Sequence, residues 1–199
     1  SGELGHGGWT PIEVDLPRQV TSLLSMRITQ VITGANHTLA VNEAGSLWAC
    51  GRGRHGQLGH GHFHDAGPLQ RVEALRGVRV VSAAAGGAHS VVIDETNAVW
   101  AWGDCRFGQL GLGDITFASI AGWEAGVPWP CLVELLPRDE HVMGVSAGGG
   151  HTLFLTSGGS VYACGRGKHG ALGLEDTEDR FEPTPVTVPG SMAPKNRRG

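Results

Sequence analysis

Gly51-Arg-Gly-Arg-His-Gly-Gln-Leu-Gly59 is the stretch that decides the fold, because the chain says it again. Gly103-Asp-Cys-Arg-Phe-Gly-Gln-Leu-Gly111 and Gly165-Arg-Gly-Lys-His-Gly-Ala-Leu-Gly173 have the same shape, and Gly2-Glu-Leu-Gly5 is the tail of a further copy. The G-x-L-G steps begin at Gly2, Gly56, Gly108 and Gly170, with spacings of 54, 52 and 62. Recurrence at that period marks a repeat architecture. Alone, Gly51–Gly56 would pass for the G-x-G-x-x-G of a dinucleotide loop, and so would Gly165–Gly170. Such a loop joins a parallel strand to a helix whose N-terminus holds the pyrophosphate. No helical pattern follows here, and the middle copy breaks the fingerprint while keeping its place. Gly51, Gly56, Gly59, Gly103, Gly108, Gly111, Gly165, Gly170 and Gly173 are therefore expected to be positive-φ turn formers.

Outward from this loop, each unit reads the same way. An apolar run comes first: Ile28–Ile32, Val78–Ala85 and Val142–Ala147. Next is a Gly-x-x-His-Ser/Thr step ending on His37, His89 or His151, followed by Leu39–Val41, Val91–Ile93 or Leu153–Leu155. Polar turns lead into Leu47–Cys50, Val99–Trp102 and Val161–Cys164. After the glycine-rich loop come the proline-marked runs Pro68–Leu75, Pro130–Leu136 and Pro183–Val188. Short β-branched and aromatic runs bounded by Gly, Asn, Asp and Ser are strands, and short turns make neighbours antiparallel. About four strands per repeat is the size of a β-propeller blade. The expected class is all-β; Leu16–Met26 could supply one helical turn.

The succession Gly-x-x-His, Leu/Val-Trp/Tyr-x-Trp/Cys-Gly and Gly-Gln-Leu-Gly resembles the regulator-of-chromosome-condensation repeat, whose members form seven-bladed propellers. The resemblance covers about residues 1–190, with repeats near 28–75, 78–136 and 141–188, the remnant of one at 1–14, and a basic tail at 191–199. It implies a partial propeller, about half a ring. The expectation is a fragment of a longer chain; the alternatives are a half-ring completed by another subunit and an open arc held in a large assembly.

The histidines recur one per repeat, so a ring would spread His37, His89 and His151 apart. Their expected role is architectural, each fixed by backbone hydrogen bonds near the inner edge of its blade. Cys50 and Cys164 occupy the position of Trp102 and are expected to be buried fillers. No C-x-x-C exists, and His60-Gly-His62-Phe-His64 is the best metal candidate, with a solvated loop as the bland alternative. Neither a metal nor a cofactor is expected. There is no G-x-S-x-G or H-E-x-x-H motif and no recognisable carboxylate pair, which argues against an enzyme. Glu175–Asp179 is expected to be a solvated acidic connection.

Basic residues stand at matching loop positions: Arg52 and Arg54, Arg106, then Arg166 and Lys168. Equivalent loops of successive blades share a face, so these side chains are expected to form an arc suited to carboxylate or phosphate groups. Trp123, in the longer loop Leu112–Pro130, is expected to flank it, since long loops on repeat scaffolds often carry binding residues. The candidate partner is an acidic protein surface.

The chain has 199 residues, 33 of them glycine, a net charge of −4 and 40% apolar residues. That balance suits turns rather than disorder and gives no electrostatic reason for direct nucleic-acid binding. No apolar run reaches membrane-spanning length, and four cysteines do not make a disulfide scaffold, so an intracellular protein, cytoplasmic or nuclear, is expected. The resemblance offers three roles. A plant UV-B photoreceptor would need Gly-Trp-Arg-His-Thr steps, yet Ala35-Asn36, Gly87-Ala88 and Gly149-Gly150 precede the histidines here. Guanine-nucleotide exchange on a Ran-like small GTPase would need a protruding wedge, for which Leu112–Pro130 is the candidate by length. A non-catalytic protein–protein interaction platform remains the main expectation, with exchange as the alternative. The expected partner is a protein, such as a small GTPase or the remaining half of the propeller.

Overall fold

A computed structural model describes residues 2–7, 16–114, 126–137 and 139–187. Twelve strands form three four-stranded antiparallel sheets, each built from consecutive strands. Blade 1 contains β1 (Ile28–Thr33), β2 (His37–Asn42), β3 (Leu47–Gly51) and β4 (Ala66–Arg71). Blade 2 contains β5 (Val80–Ala85), β6 (His89–Asp94), β7 (Val99–Gly103) and β8 (Val127–Leu132). Blade 3 contains β9 (Val142–Ala147), β10 (His151–Thr156), β11 (Val161–Gly165) and β12 (Arg180–Val186).

The sequence-based strands and the observed ones differ mainly at the fourth strand. Ala66, Val127 and Arg180 pair with Gly51, Gly103 and Gly165, so β4, β8 and β12 all start ahead of the prolines that mark the runs. β4 then stops at Arg71, and Glu73–Leu75 is a 3-10 turn that buries Leu75. The second strands begin on the histidines rather than two residues later, because His37, His89 and His151 pair with the glycines that end the third strands. Within 16–26 the helical content is one 3-10 turn at Thr21–Leu23.

Blades stack face to face, and the core lies between them. Leu39, Val41 and Leu58 of blade 1 pack with Val92 and Trp102 of blade 2. Val91, Ile93 and Leu110 of blade 2 pack with Phe154 and Cys164 of blade 3. The middle blade therefore has apolar neighbours on both faces, and all six residues of β6 are buried. In β10 the burial alternates instead: Thr152, Phe154 and Thr156 are buried while Leu155 is 47% exposed, so blade 3 is covered on one face. The first strands lie innermost, where the backbone N–H of Ala35 donates to the carbonyl of Gly86 and that of Gly87 to Gly148, each at 3.2 Å.

Candidate interaction face and inter-blade latch

The Gly-x-x-His-Ser/Thr step and the Gly-Gln-Leu-Gly step meet across each blade boundary. Ser90 donates its hydroxyl proton to the carbonyl of Gln57 at 2.8 Å, and His37 Nε2 lies 2.9 Å from the same hydroxyl. A serine has one proton to give, so His37 donates from Nε2 and the ring is the Nε2–H tautomer. The next boundary repeats this, with Thr152 donating to Gln109 at 2.7 Å and His89 Nε2 at 2.9 Å from Thr152 Oγ1. Burial pushes the pKa of both rings down to about 4, with the neighbouring His37 adding to the effect on His89. His37 and His89 thus each bond a hydroxyl of the next blade, a side-chain partner rather than the backbone partner expected. The preceding glycine makes room: a Cβ on Gly86 would lie 2.2 Å from the His89 ring.

The N-terminal remnant occupies the matching place on blade 1. Thr38 donates to the carbonyl of Glu3 at 2.8 Å, as Ser90 does to Gln57. Cys50 Sγ also donates to Glu3, at 3.5 Å, where Trp102 Nε1 reaches Gln57 at 2.8 Å. Gly2-Glu-Leu-Gly5 is thus the latch loop of a preceding blade in position as well as in sequence. Burial pushes the thiols of Cys50 and Cys164 up to about 12, so both stay protonated fillers.

The loop residues occupy equivalent places in the three blades, since the N–H groups of Arg52, Asp104 and Arg166 donate to Asn36, Ala88 and Gly150, each at 2.8 Å. The nine glycines named from the sequence all have positive φ, between 67° and 110°. Arg54, Arg106, Arg166 and Lys168 are exposed and Arg52 is half-buried. The charges are not equivalent, however. Arg106 forms a bidentate pair with Asp104, Nε to Oδ1 at 2.9 Å and a terminal nitrogen to Oδ2 at 2.8 Å. Burial raises the Asp104 carboxyl, but the Arg106 bonds outweigh it and hold the group below the usual carboxylate range, with His55 contributing. Arg166 stacks on Phe107, its guanidinium carbon 4.7 Å from the ring centroid. The face accordingly has a basic end at blade 1, an internally neutralised middle and a basic end at blade 3.

Trp123 and most of Leu112–Pro130 lie outside the described residues, as does the basic tail. His60, His62 and His64 lie in a bent segment, with ring centroids 5.7 and 5.2 Å apart in sequence order. His60 bonds the Gln70 carbonyl, and no metal-competent group of three side chains occurs among the described residues. In the acidic loop, Asp179 accepts the N–H of Gly167 and Asp176 pairs with Arg180. The sequence reading passed over Ser90, Thr152, Gln57 and Gln109. Their signal was present, in the hydroxyl after each histidine and the glutamine inside two of the G-x-L-G steps.

Four-stranded blades joined in series by a repeated side-chain latch define a β-propeller segment. The chain belongs to the regulator of chromosome condensation (RCC1) repeat family, whose model matches residues 1–41, 44–93, 97–155 and 158–195. These repeats are offset from the blades: 44–93 and 97–155 each take the last two strands of one blade and the first two of the next. A relative from Homo sapiens, the probable E3 ubiquitin-protein ligase HERC3, is 38% identical over 89% of this chain and 16% of its own length. The ultraviolet-B receptor UVR8 of Arabidopsis thaliana is 34% identical over 95% of this chain and 40% of its own length. The chain thus spans less than half of either relative. Among solved structures, Prp20p of Saccharomyces cerevisiae superposes with a TM-score of 0.73 at 22% identity, covering 82% of this chain and 39% of Prp20p. No helix among the described residues is long and apolar enough to cross a membrane.

Proposed function

We propose that the chain is a non-catalytic protein-interaction platform whose loop face receives an acidic protein surface. One observation carries this. Arg54, Arg166 and Lys168 have no carboxylate partner among the described residues, whereas Arg27, Arg76, Arg106 and Arg180 each do. Exposed guanidinium groups held on a rigid face and left unneutralised are suited to charge-assisted contact with carboxylates. Prp20p, similar in fold, is described by its binding to Gsp1p and to histones, and protein partners are the class carried over to this chain. A small GTPase and the rest of a propeller are both of that class.

The test compares proteins captured by the wild-type chain and by an Arg54→Glu/Arg166→Glu variant, identified by mass spectrometry. Loss of the captured proteins from the variant is expected, and identical capture overturns the acidic-surface assignment. Acceleration of labelled-nucleotide release from a small GTPase by the chain overturns the non-catalytic one.

A further inference from the structure

The third copy of the repeated loop departs from the first two at two residues, Lys168 where both have arginine and Ala171 where both have glutamine. Gln57 and Gln109 are buried, and each closes its own loop by accepting a backbone N–H through Oε1, from His55 at 3.0 Å and from Phe107 at 2.9 Å. Ala171 stands at that position in blade 3 and is exposed. The loop around it is wound differently, with a 3-10 turn at Lys168–Gly170 and His169 at φ 63°. A cavity of about 220 Å³ opens here, lined by Gly149, His151, Arg166, Lys168, His169 and Ala171.

The lining is basic and positioned. Phe107 stacks against the Arg166 guanidinium and limits its freedom. Neither Arg166 nor Lys168 has a carboxylate partner among the described residues; in the adjacent acidic loop Asp179 accepts from Gly167 and Asp176 pairs with Arg180. In blade 1, His55, the counterpart of His169, adds to the lowering of the Asp104 carboxyl of the next blade, after the larger effect of Arg106.

From these observations we infer that the blade 3 cavity is a carboxylate-binding pocket for an aspartate or glutamate side chain of a protein partner. Arg166 supplies the planar fork, and Lys168 and His169 supply single donors. The pocket deepens the platform reading and rests on it for the nature of the partner, but its own ligand chemistry is measured separately.

The experiment is fluorescence anisotropy of the full chain with labelled hexaglutamate, beside hexaglutamine and a phosphoserine peptide. Hexaglutamate is expected to bind and hexaglutamine not to. Ala171→Gln refills the cavity without changing the charge, and Arg166→Gln removes the fork; each is expected to weaken binding roughly tenfold, the scale of one charge-assisted hydrogen bond. Arg27→Gln, at a residue paired with Glu43 and outside both the pocket and the loop face, is expected to leave it unchanged. Unaltered thermal unfolding of the Ala171→Gln chain confirms that its fold is intact, as the exposure of Ala171 leads one to expect. Equal binding by wild type, Ala171→Gln and Arg166→Gln overturns the pocket, and a phosphoserine peptide binding more than roughly tenfold tighter than hexaglutamate overturns the carboxylate assignment. If hexaglutamate fails to bind while the Arg54→Glu/Arg166→Glu chain still loses its protein partners, the pocket falls and the platform stands.

Discussion

His37 Nε2 lies 2.9 Å from the hydroxyl of Ser90, a residue of the next blade, and both are buried. Because the Ser90 proton is already given to Gln57, the contact holds only while His37 keeps its proton on Nε2. His37 Nδ1 and His89 Nδ1 are buried without a hydrogen-bond partner, so burial opposes a second proton on either ring, and at His89 it outweighs the Asp104 carboxylate that favours one. The repeat's histidine is therefore a neutral cross-brace between blades.

Stability should fall as pH drops through the window between the folded and unfolded pKa values of these rings. In the folded chain both sit at about 4 against an ordinary value of 6.5. The unfolded state binds more protons between those limits, so the contribution is whole above the upper limit and lost as pH falls to the lower one. The loss amounts to about 3 kcal/mol per ring, a large share of the roughly 5–15 kcal/mol typical of a domain. Asp94 and Asp104 extend it further down: burial raises both carboxyls, but hydrogen bonds from Thr96 and Trp100, and from Arg106, hold them low. Urea unfolding midpoints between neutral pH and the folded pKa should decline steadily; a flat profile contradicts the neutral-brace assignment.

Ser90→Ala leaves the His37 Nε2–H unsatisfied in a buried place, at a cost of about 1–3 kcal/mol, while the Gln57 carbonyl keeps its bond from Trp102 Nε1. Ser90→Thr should be nearly neutral, since Thr152 occupies the same position in the next blade and makes the same two bonds. Chemical denaturation of the two variants checks the contrast. Equal destabilisation by both points to packing rather than to the hydroxyl.

Gly56→Ala and Gly170→Ala should differ sharply although both sites have positive φ, 79° and 71°. At Gly56 a Cβ would come 2.5 Å from Pro128 Cα in the neighbouring blade, while at Gly170 nothing lies within 4 Å. Gly170→Ala should therefore cost only the left-handed backbone strain, about 1–2 kcal/mol, and Gly56→Ala should add a backbone clash that forces blades 1 and 2 apart. Thermal unfolding of both variants decides; equal midpoints contradict the close approach.

The four thiols should separate by reactivity. Cys50 and Cys164 are fully buried and pushed up to about 12, whereas Cys105 and Cys131 are half-buried, with burial raising both less. A thiol-specific disulfide reagent on the native chain should modify Cys105 and Cys131 first and reach the other pair only on unfolding. Early labelling of Cys164, located by peptide mapping, contradicts the packing.

The blades were legible in the sequence because four things coincide in each copy: an apolar run, the histidine step, the aromatic strand and the glycine loop. The fourth strand is less legible, because proline marks its run without marking its first residue. Ladder pairing with Gly51, Gly103 and Gly165 sets its start, and pairing is a non-local property. The latch was half legible. Ser90 and Thr152 stand beside their histidines in every copy, yet the partner of each histidine comes from the following copy, which no local reading supplies. The loop charges show the same limit: matching positions placed Arg106 in the arc, and only the conformation of Asp104, two residues away, reveals that its charge is spent internally.

The offset between family repeat and blade bears on where this chain can be cut. A chain ending at Ile93, where one family repeat closes, would keep β5 and all but the last residue of β6 but lose β7 and β8. That would expose the edge of β6, a strand buried on both faces in the intact molecule, to pairing with other chains. A truncation after Arg71 or after Leu132 keeps whole sheets. For the same reason, exchange of one sequence repeat between relatives would transplant two half-sheets and the boundary between them. The unit that recurs in the family's sequence pattern is the junction between blades, with each blade divided between two repeats.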